Sequence, residues 1–351
     1  MDYSKKSSIA ILSLFLLTLL LTLFSWNPLT YKLMTSFPQK HSSNTTTLIT
    51  VPKDELQIAL DKASLPNKTL IIAIINKAYV EPHQDEYPTM FDLFLEGFWA
   101  GEETRPLVNN LLVVAMDETA YKRCLFRRLN CYRLVADGGD EFSGEKIYMS
   151  GEFIEMMWRR TLFLLEVLKR GHNFIFTDTD VLWLRNPFKK ISNNETIDFQ
   201  ISTDVFNGNS FSENNLINTG FYFIKSNNKT ISLFETWYDK RKNSTGMKEQ
   251  DVLKNLVLEG VFGHLGLRTR FLDTIYFSGF CSESKDVRLV ATVHANCCRT
   301  IRAKVVDLKT VLRDWKRFKN RERSSTVDGT KRFRWSRHVS CINSWHNVTL
   351  H

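Results

Sequence analysis

Several protein classes are excluded by what the chain lacks. It has no internal repeat, so it is not a solenoid or propeller. Its eight histidines are scattered, whereas metal-dependent phosphoester hydrolysis normally draws on clustered His and Asp ligands. No recognition motif accompanies the formal charge of +9, and nucleic acid is not an expected partner. His294-x-x-Cys297-Cys298 would suit zinc, but no matching second half follows. Long apolar runs are scarce too: only residues 9–24 are long enough to approach a membrane span, interrupted by Ser13, Thr18 and Thr22.

That run organises the N-terminus. At a rise of about 1.5 Å per residue it just crosses a thin bilayer, and Trp26 sits where an interfacial aromatic would. Lys5 and Lys6 precede it, so the positive-inside rule keeps residues 1–8 in the cytosol and sends everything after residue 26 into the secretory lumen. The competing reading is a cleaved signal peptide, which would have a shorter apolar core and a small-x-small cleavage site. The uncleaved anchor, residues 9–26, fits better. Residues 27–55, rich in Ser, Thr, Asn, Pro and Lys, read as a stem. The folded domain is expected over 56–345. Beyond the anchor lie glycosylation sequons at Asn44, Asn67, Asn194, Asn228, Asn243 and Asn347. All six cysteines also lie there, and an even number in an oxidising compartment permits complete pairing. Cys124 and Cys131 are close enough to staple a helix end to the next strand, and Cys341 is placed to tie down the C-terminus.

Within the domain, apolar runs at 70–75, 111–115, 132–136, 199–203 and 221–224 predict strands. Helical spacing over 152–169 predicts a helix capped by Ser150 and ended by Gly171, with further helices over 231–240 and 248–258. Alternating strands and helices argue for an α/β fold with a mostly parallel, Rossmann-like sheet and a ligand crevice at the strands' carboxyl ends. The stretch NFIFTDTDVLWLRNPF, residues 173–188, carries the chemistry. A buried strand stops at Asp178-Thr179-Asp180 and apolar residues resume at once. Two carboxylates at i and i+2 where a chain leaves a sheet can both face one hard cation carrying phosphate oxygens. The alternative is a buried pair satisfied by backbone N–H groups and Arg185. Glu249-Gln250-Asp251 opens a helix, where acidic residues also serve as ordinary dipole partners. From 299 to 337 there are 14 Lys and Arg against 4 Asp and Glu. This basic segment suits acidic polysaccharide, donor phosphate or anionic headgroups, or is simply a solvated helix face.

The runs at 156–188, NTGFYFIKSNN (218–228), EQDVLKN (249–255) and 271–298 together resemble the plant nucleotide-diphospho-sugar transferase family. That family includes the rhamnogalacturonan-II xylosyltransferases and extensin arabinosyltransferases, and the likeness is to its uncharacterised plant branch. The resemblance extends from about residue 56 to 315. It implies a GT-A fold, a UDP-sugar donor, Mn²⁺ (or Mg²⁺), and retention of configuration at the transferred sugar. By the same resemblance, Asp178, Asp180 and His294 hold the metal; a satisfied core histidine is the other reading of His294. Asn76 lies near the base and ribose, and Arg159 and Arg160 reach donor phosphates unless they form a helix face or a buried ion pair. Asn218, Thr219 and Gln250 line the donor sugar, with Glu249 and Asp251 the catalytic carboxylates. Glu249 departs from the family's more common Asp by one methylene. The implied setting is the Golgi membrane, with a cell-wall polysaccharide or glycoprotein acceptor and association with other Golgi glycosyltransferases. The alternative is a non-catalytic carbohydrate-binding or scaffold protein that kept the fold.

Overall fold

Short apolar runs form the centre of a seven-stranded sheet in the computed structural model, which describes residues 54–82, 88–134, 142–324 and 333–346. Helix α1 (Glu55–Ala63) leads to β1 (Thr69–Ile75), the short α2 (Lys77–Val80), α3 (Met90–Ala100), β2 (Leu111–Ala115), α4 (Glu118–Phe126) and β3 (Asn130–Arg133). Next come α5 (Gly151–Lys169), β4 (Asn173–Thr177), β5 (Val181–Trp183), β6 (Phe199–Val205) and β7 (Leu216–Ile224). Then follow α6 (Asn228–Lys240), α7 (Glu249–Leu258), α8 (Val261–His264), β8 (Thr269–Phe271), β9 (Phe277–Gly279), β10 (Thr292–His294), α9 (Ile301–Ser324) and α10 (Val339–Asn343). The expected tail and anchor, nearly all of the stem, the Asn44 and Asn347 sequons and residues 325–332 of the basic segment lie outside the described residues. Among the described residues no helix is long and apolar enough to cross a membrane.

The main sheet has the order β3-β2-β1-β4-β7-β6-β8. Neighbours are parallel except that β7 opposes both β4 and β6, so one reversed strand interrupts the expected parallel sheet. Strand side chains alternate between faces. Leu70, Ile72, Phe174 and Phe176 fall into one core with Trp158 and Leu168 of α5 and Trp237 of α6. Ile71, Ala73, Ile75 and Ile175 fall into the other with Phe91, Phe94 and Phe98 of α3. Burial on both faces is why these strands read as continuous apolar runs. Each Leu, Ile or Phe among them contributes about 1.5–3 kcal/mol on leaving water.

Helix α5 begins where expected: the Ser150 hydroxyl accepts from Phe153 N, and Gly171, at φ +76°, ends the helix in a conformation that favours glycine. Two expectations are corrected. The strand placed at 132–136 is β3, Asn130–Arg133, because it pairs with β2 from Asn130 on. The strand expected at 221–224 begins earlier, so that residues 218–220 already lie inside β7, which pairs with β6 through two register shifts.

A second sheet, β5-β10-β9, is smaller. Over it packs the basic segment, now α9, whose Val305, Leu308, Leu312 and Trp315 share a core with Met90, Leu93, Leu182 and Leu184. Composition hides this apolar stripe. Lys316 pairs with Glu96 and Lys319 with Glu102, so part of the basic face is internally neutralised. The disulfides are Cys124–Cys131, Cys281–Cys297 and Cys298–Cys341. The first staples α4 to β3 as expected, and the others rule out zinc on Cys297 and Cys298. Asn67, Asn194, Asn228 and Asn243 are exposed.

Candidate active site

The chain turns sharply as it leaves β4. Asp178 N donates to Gly220 O at 2.7 Å, and Val181 N to Asp178 O at 3.2 Å. Asp178, Thr179 and Asp180 form the turn before β5 resumes. Strand β10 pairs antiparallel with β5, with His294 opposite Val181. That register brings a residue distant in sequence beside the acidic turn, with His294 Nε2 at 3.3 Å from Asp180 Oδ1. One ligand atom from each of Asp178, Asp180 and His294 lies within 4.8 Å of the other two.

Gly220 leaves the room between them. A Cβ there would stand 2.4 Å from His294 Cε1 and 2.8 Å from Asp178 Oδ2, so any larger residue fills the space the ligand groups surround. Two carboxylates and an imidazole around such a space fit a divalent cation. The oxygens suit Mn²⁺ or Mg²⁺, and the nitrogen favours the softer Mn²⁺.

Protein cations also face these acids. Lys304 Nζ donates to Asp180 Oδ2 at 2.7 Å. Arg160 donates to Asp178 Oδ1 at 2.8 Å and to Glu249 Oε1 at 2.6 Å, so one guanidinium bridges two carboxylates. Burial alone would raise the Asp180 pKa, but Lys304 and then His294 outweigh it and hold that carboxyl well below its usual range. At Asp178 burial prevails over Arg160, and the charge of Asp180 adds to the rise. The same burial would lower Lys304 and His294, yet Asp180 raises both. Burial pushes the neighbouring Tyr79 phenol up to about 12.

A second wall joins β7 to the start of α7. Glu249 is buried, and its Oε1 also accepts from Thr219 Oγ1 at 2.8 Å, while Oε2 has no protein partner. Trp237 Nε1 donates to Glu249 O at 2.7 Å and fixes the helix start. Gln250 Oε1 accepts from Thr219 N at 3.1 Å. Asp204 Oδ1 accepts from both Asn218 Nδ2 and Asn296 Nδ2, at 2.8 and 2.7 Å. Asn76 caps α2 and donates its amide N–H groups to Phe142 O and Gly144 O, at 2.8 and 2.9 Å. That amide nitrogen holds the opposite wall in place.

Together these walls enclose a cavity of about 260 Å³. Of the residues expected at a site, Asn76, Arg160, Asp178, Asp180, Asn218, Thr219, Glu249, Gln250 and His294 line it. Asp251 and Arg159 do not. Helix α7 turns Glu249 and Gln250 of its first turn to the cavity and not Asp251, and α5 presents Arg160 without Arg159. Arg185, the alternative partner for the aspartates, instead pairs with Glu102 at 2.7 Å and donates to Val287 O and Val290 O. Sequence reasoning missed Lys304, one among 14 basic residues of its segment. It also missed the void at Gly220, which only the strand pairing reveals.

A model of the nucleotide-diphospho-sugar transferase family matches residues 106–308. An uncharacterized protein of Arabidopsis thaliana is 53% identical over 313 residues, 89% of this chain and 91% of that one. A beta-arabinofuranosyltransferase of Arabidopsis thaliana is 24% identical over 203 residues, covering 56% of this chain and 34% of its own. Among solved structures, a galactosyltransferase, LgtC, with donor and acceptor sugar analogs aligns over 74% of this chain and 97% of its own, at 14% identity and a TM-score of 0.42. The resemblance drawn from the motifs therefore holds: this chain belongs to the nucleotide-diphospho-sugar transferase family and is a nucleotide-sugar glycosyltransferase.

Proposed function

We propose that the protein is a GT-A type, metal-dependent, retaining glycosyltransferase that moves a sugar from a UDP-sugar to a cell-wall polysaccharide or glycoprotein. It would be held by the 9–26 anchor in the Golgi membrane with its catalytic domain in the lumen. The observation that carries the reading is the meeting of Asp178, Asp180 and His294 around the space left by Gly220.

Those three residues would hold Mn²⁺, which when bound neutralises the charge developing on the departing diphosphate. The remaining work falls to this chain's own groups. Lys304, already directed at Asp180, supplies a second positive charge for the diphosphate in a partly buried setting, where charge acts more strongly than in water. Arg160 ties Asp178 to Glu249 and so fixes the metal-binding wall relative to the sugar-binding wall. Glu249, whose Oε1 accepts from both Arg160 and Thr219, holds the sugar-binding wall in place. Thr219 and Gln250 brace that carboxylate's surroundings.

Calorimetric titration of the full chain with a panel of UDP-sugars, with Mn²⁺ and then with chelator, tests the proposal. Metal-dependent binding with a preference for one sugar is expected. A folded protein that binds no UDP-sugar under either condition would leave the fold serving carbohydrate binding or scaffolding instead.

A further inference from the structure

Tyr148 lines the cavity, whose interior is charged, and belongs to an exposed apolar run. Ile147, Tyr148 and Met149 are consecutive and 70, 39 and 38% exposed. A run of three exposed apolar residues is costly unless a ligand covers it. Met149 also sits at φ +68°, a left-handed conformation rare outside glycine. The segment is pinned on either side of these residues. Glu145 Oε1 accepts from Ile301 N at 2.9 Å, and the Ser150 hydroxyl caps α5.

Trp345, from the far end of the chain, lines the same cavity and is 44% exposed. Its Nε1 donates to Cys297 O at 2.8 Å, and the Arg299 guanidinium lies 4.3 Å from its ring centre. The Cys298–Cys341 bridge anchors the helix that precedes it. Tyr148 has a cation nearby as well, with Lys248 Nζ at 5.4 Å from its ring. Two restrained aromatic rings beside charged donors match a ligand with an apolar C–H face and a rim of hydroxyls. Restraint before binding also lowers the entropy lost on binding.

We infer that Tyr148 and Trp345 form an acceptor subsite that takes a glycosyl unit of an oligosaccharide by stacking, with Ile147 and Met149 extending the apolar contact. The inference rests on the transferase reading above, because it assigns the charged interior to the donor and this rim to the acceptor. A hydroxyproline-rich peptide could also stack on such rings, but each of its rings offers one hydroxyl to Lys248 and Arg299, where a sugar unit offers several.

The full chain, loaded with UDP and Mn²⁺, is titrated calorimetrically with arabino-, galacto- and xylo-oligosaccharides and with a hydroxyproline-rich peptide. The wild type is expected to bind at least one oligosaccharide. Trp345→Ala and Tyr148→Ala should each weaken that binding by roughly tenfold or more, while UDP affinity stays within about twofold as evidence of an intact fold. Trp345→Phe, which keeps a ring, should restore most of the loss. Unchanged oligosaccharide affinity in both alanine variants overturns the inference. So does a UDP-binding wild type that takes no oligosaccharide, or one in which the peptide alone depends on Trp345. A wild type that binds no UDP at all overturns the donor reading first, and this inference with it.

Discussion

The two sides of the candidate site are held in place by different physics. Asp178 and Asp180 follow β4, a strand buried on both faces of the main sheet, and their position comes from apolar packing. His294 and Lys304 belong to the small sheet and α9, where β10 has three residues and the chain is stitched by Cys281–Cys297 and Cys298–Cys341. A large core positions the acids by burying side chains in quantity. The smaller C-terminal region has less to bury and uses covalent links and ion pairs. The site forms where the two meet, so perturbing either region should disturb it in a distinguishable way.

The largest effect should come from Asp180→Asn. Donor binding in the presence of Mn²⁺ should fall below calorimetric detection, because one ligand charge is gone. Lys304 then loses its buried carboxylate partner, and breaking such a pair costs about 3–5 kcal/mol when fully buried, less here because Lys304 is 24% exposed. Circular dichroism should still report a folded protein with a lower melting temperature. Retained Mn²⁺-dependent binding would contradict the assignment.

Next in size is the contrast between disulfides. Cys298–Cys341 spans 43 residues and Cys124–Cys131 spans 7, so chain entropy predicts losses of about 4 and about 2.4 kcal/mol for the respective double serine variants. Urea unfolding of both measures the difference. Equal losses would mean that the C-terminal region does not depend on its bridge as described.

Arg160→Lys should be smaller and specific to function. A lysine ammonium cannot form the fork that joins Asp178 to Glu249, and about a tenfold loss in kcat/KM, or about 1.4 kcal/mol, is expected. The smallest effect belongs to a surface pair remote from both regions' contact. Lys240→Ala removes the Lys240–Glu259 bridge, 43 and 49% exposed, and should change stability by no more than about 0.5 kcal/mol. A larger change would undermine the division between packed core and exposed charge.

The same division decides what the sequence made legible. The runs at 70–75, 111–115 and 174–176 could be read as strands because burial on both faces leaves them almost wholly apolar. The cap at Ser150 and the stop at Gly171 were equally plain, since each rests on local chemistry. The β3 boundary and the course of 218–220 were not, because pairing partners set them and no local pattern does. At the site, the aspartate pair stood out between apolar runs, whereas His294 was recognisable only through family resemblance. Its placement depends on β10 pairing with β5, a contact between distant segments. Lys304 was hidden among equally basic neighbours, and no local pattern separated Glu249, which lines the cavity, from Asp251, which does not.

Gly220 keeps open the space between Asp178 and His294, which the two different regions supply. The most direct test counts Mn²⁺ bound in the presence of UDP, by electron paramagnetic resonance, for the wild type and for Gly220→Val. The wild type should bind tightly held Mn²⁺ and the variant none, with circular dichroism showing that both are folded. Equal Mn²⁺ binding by a folded Gly220→Val variant would place the metal elsewhere and contradict the claim.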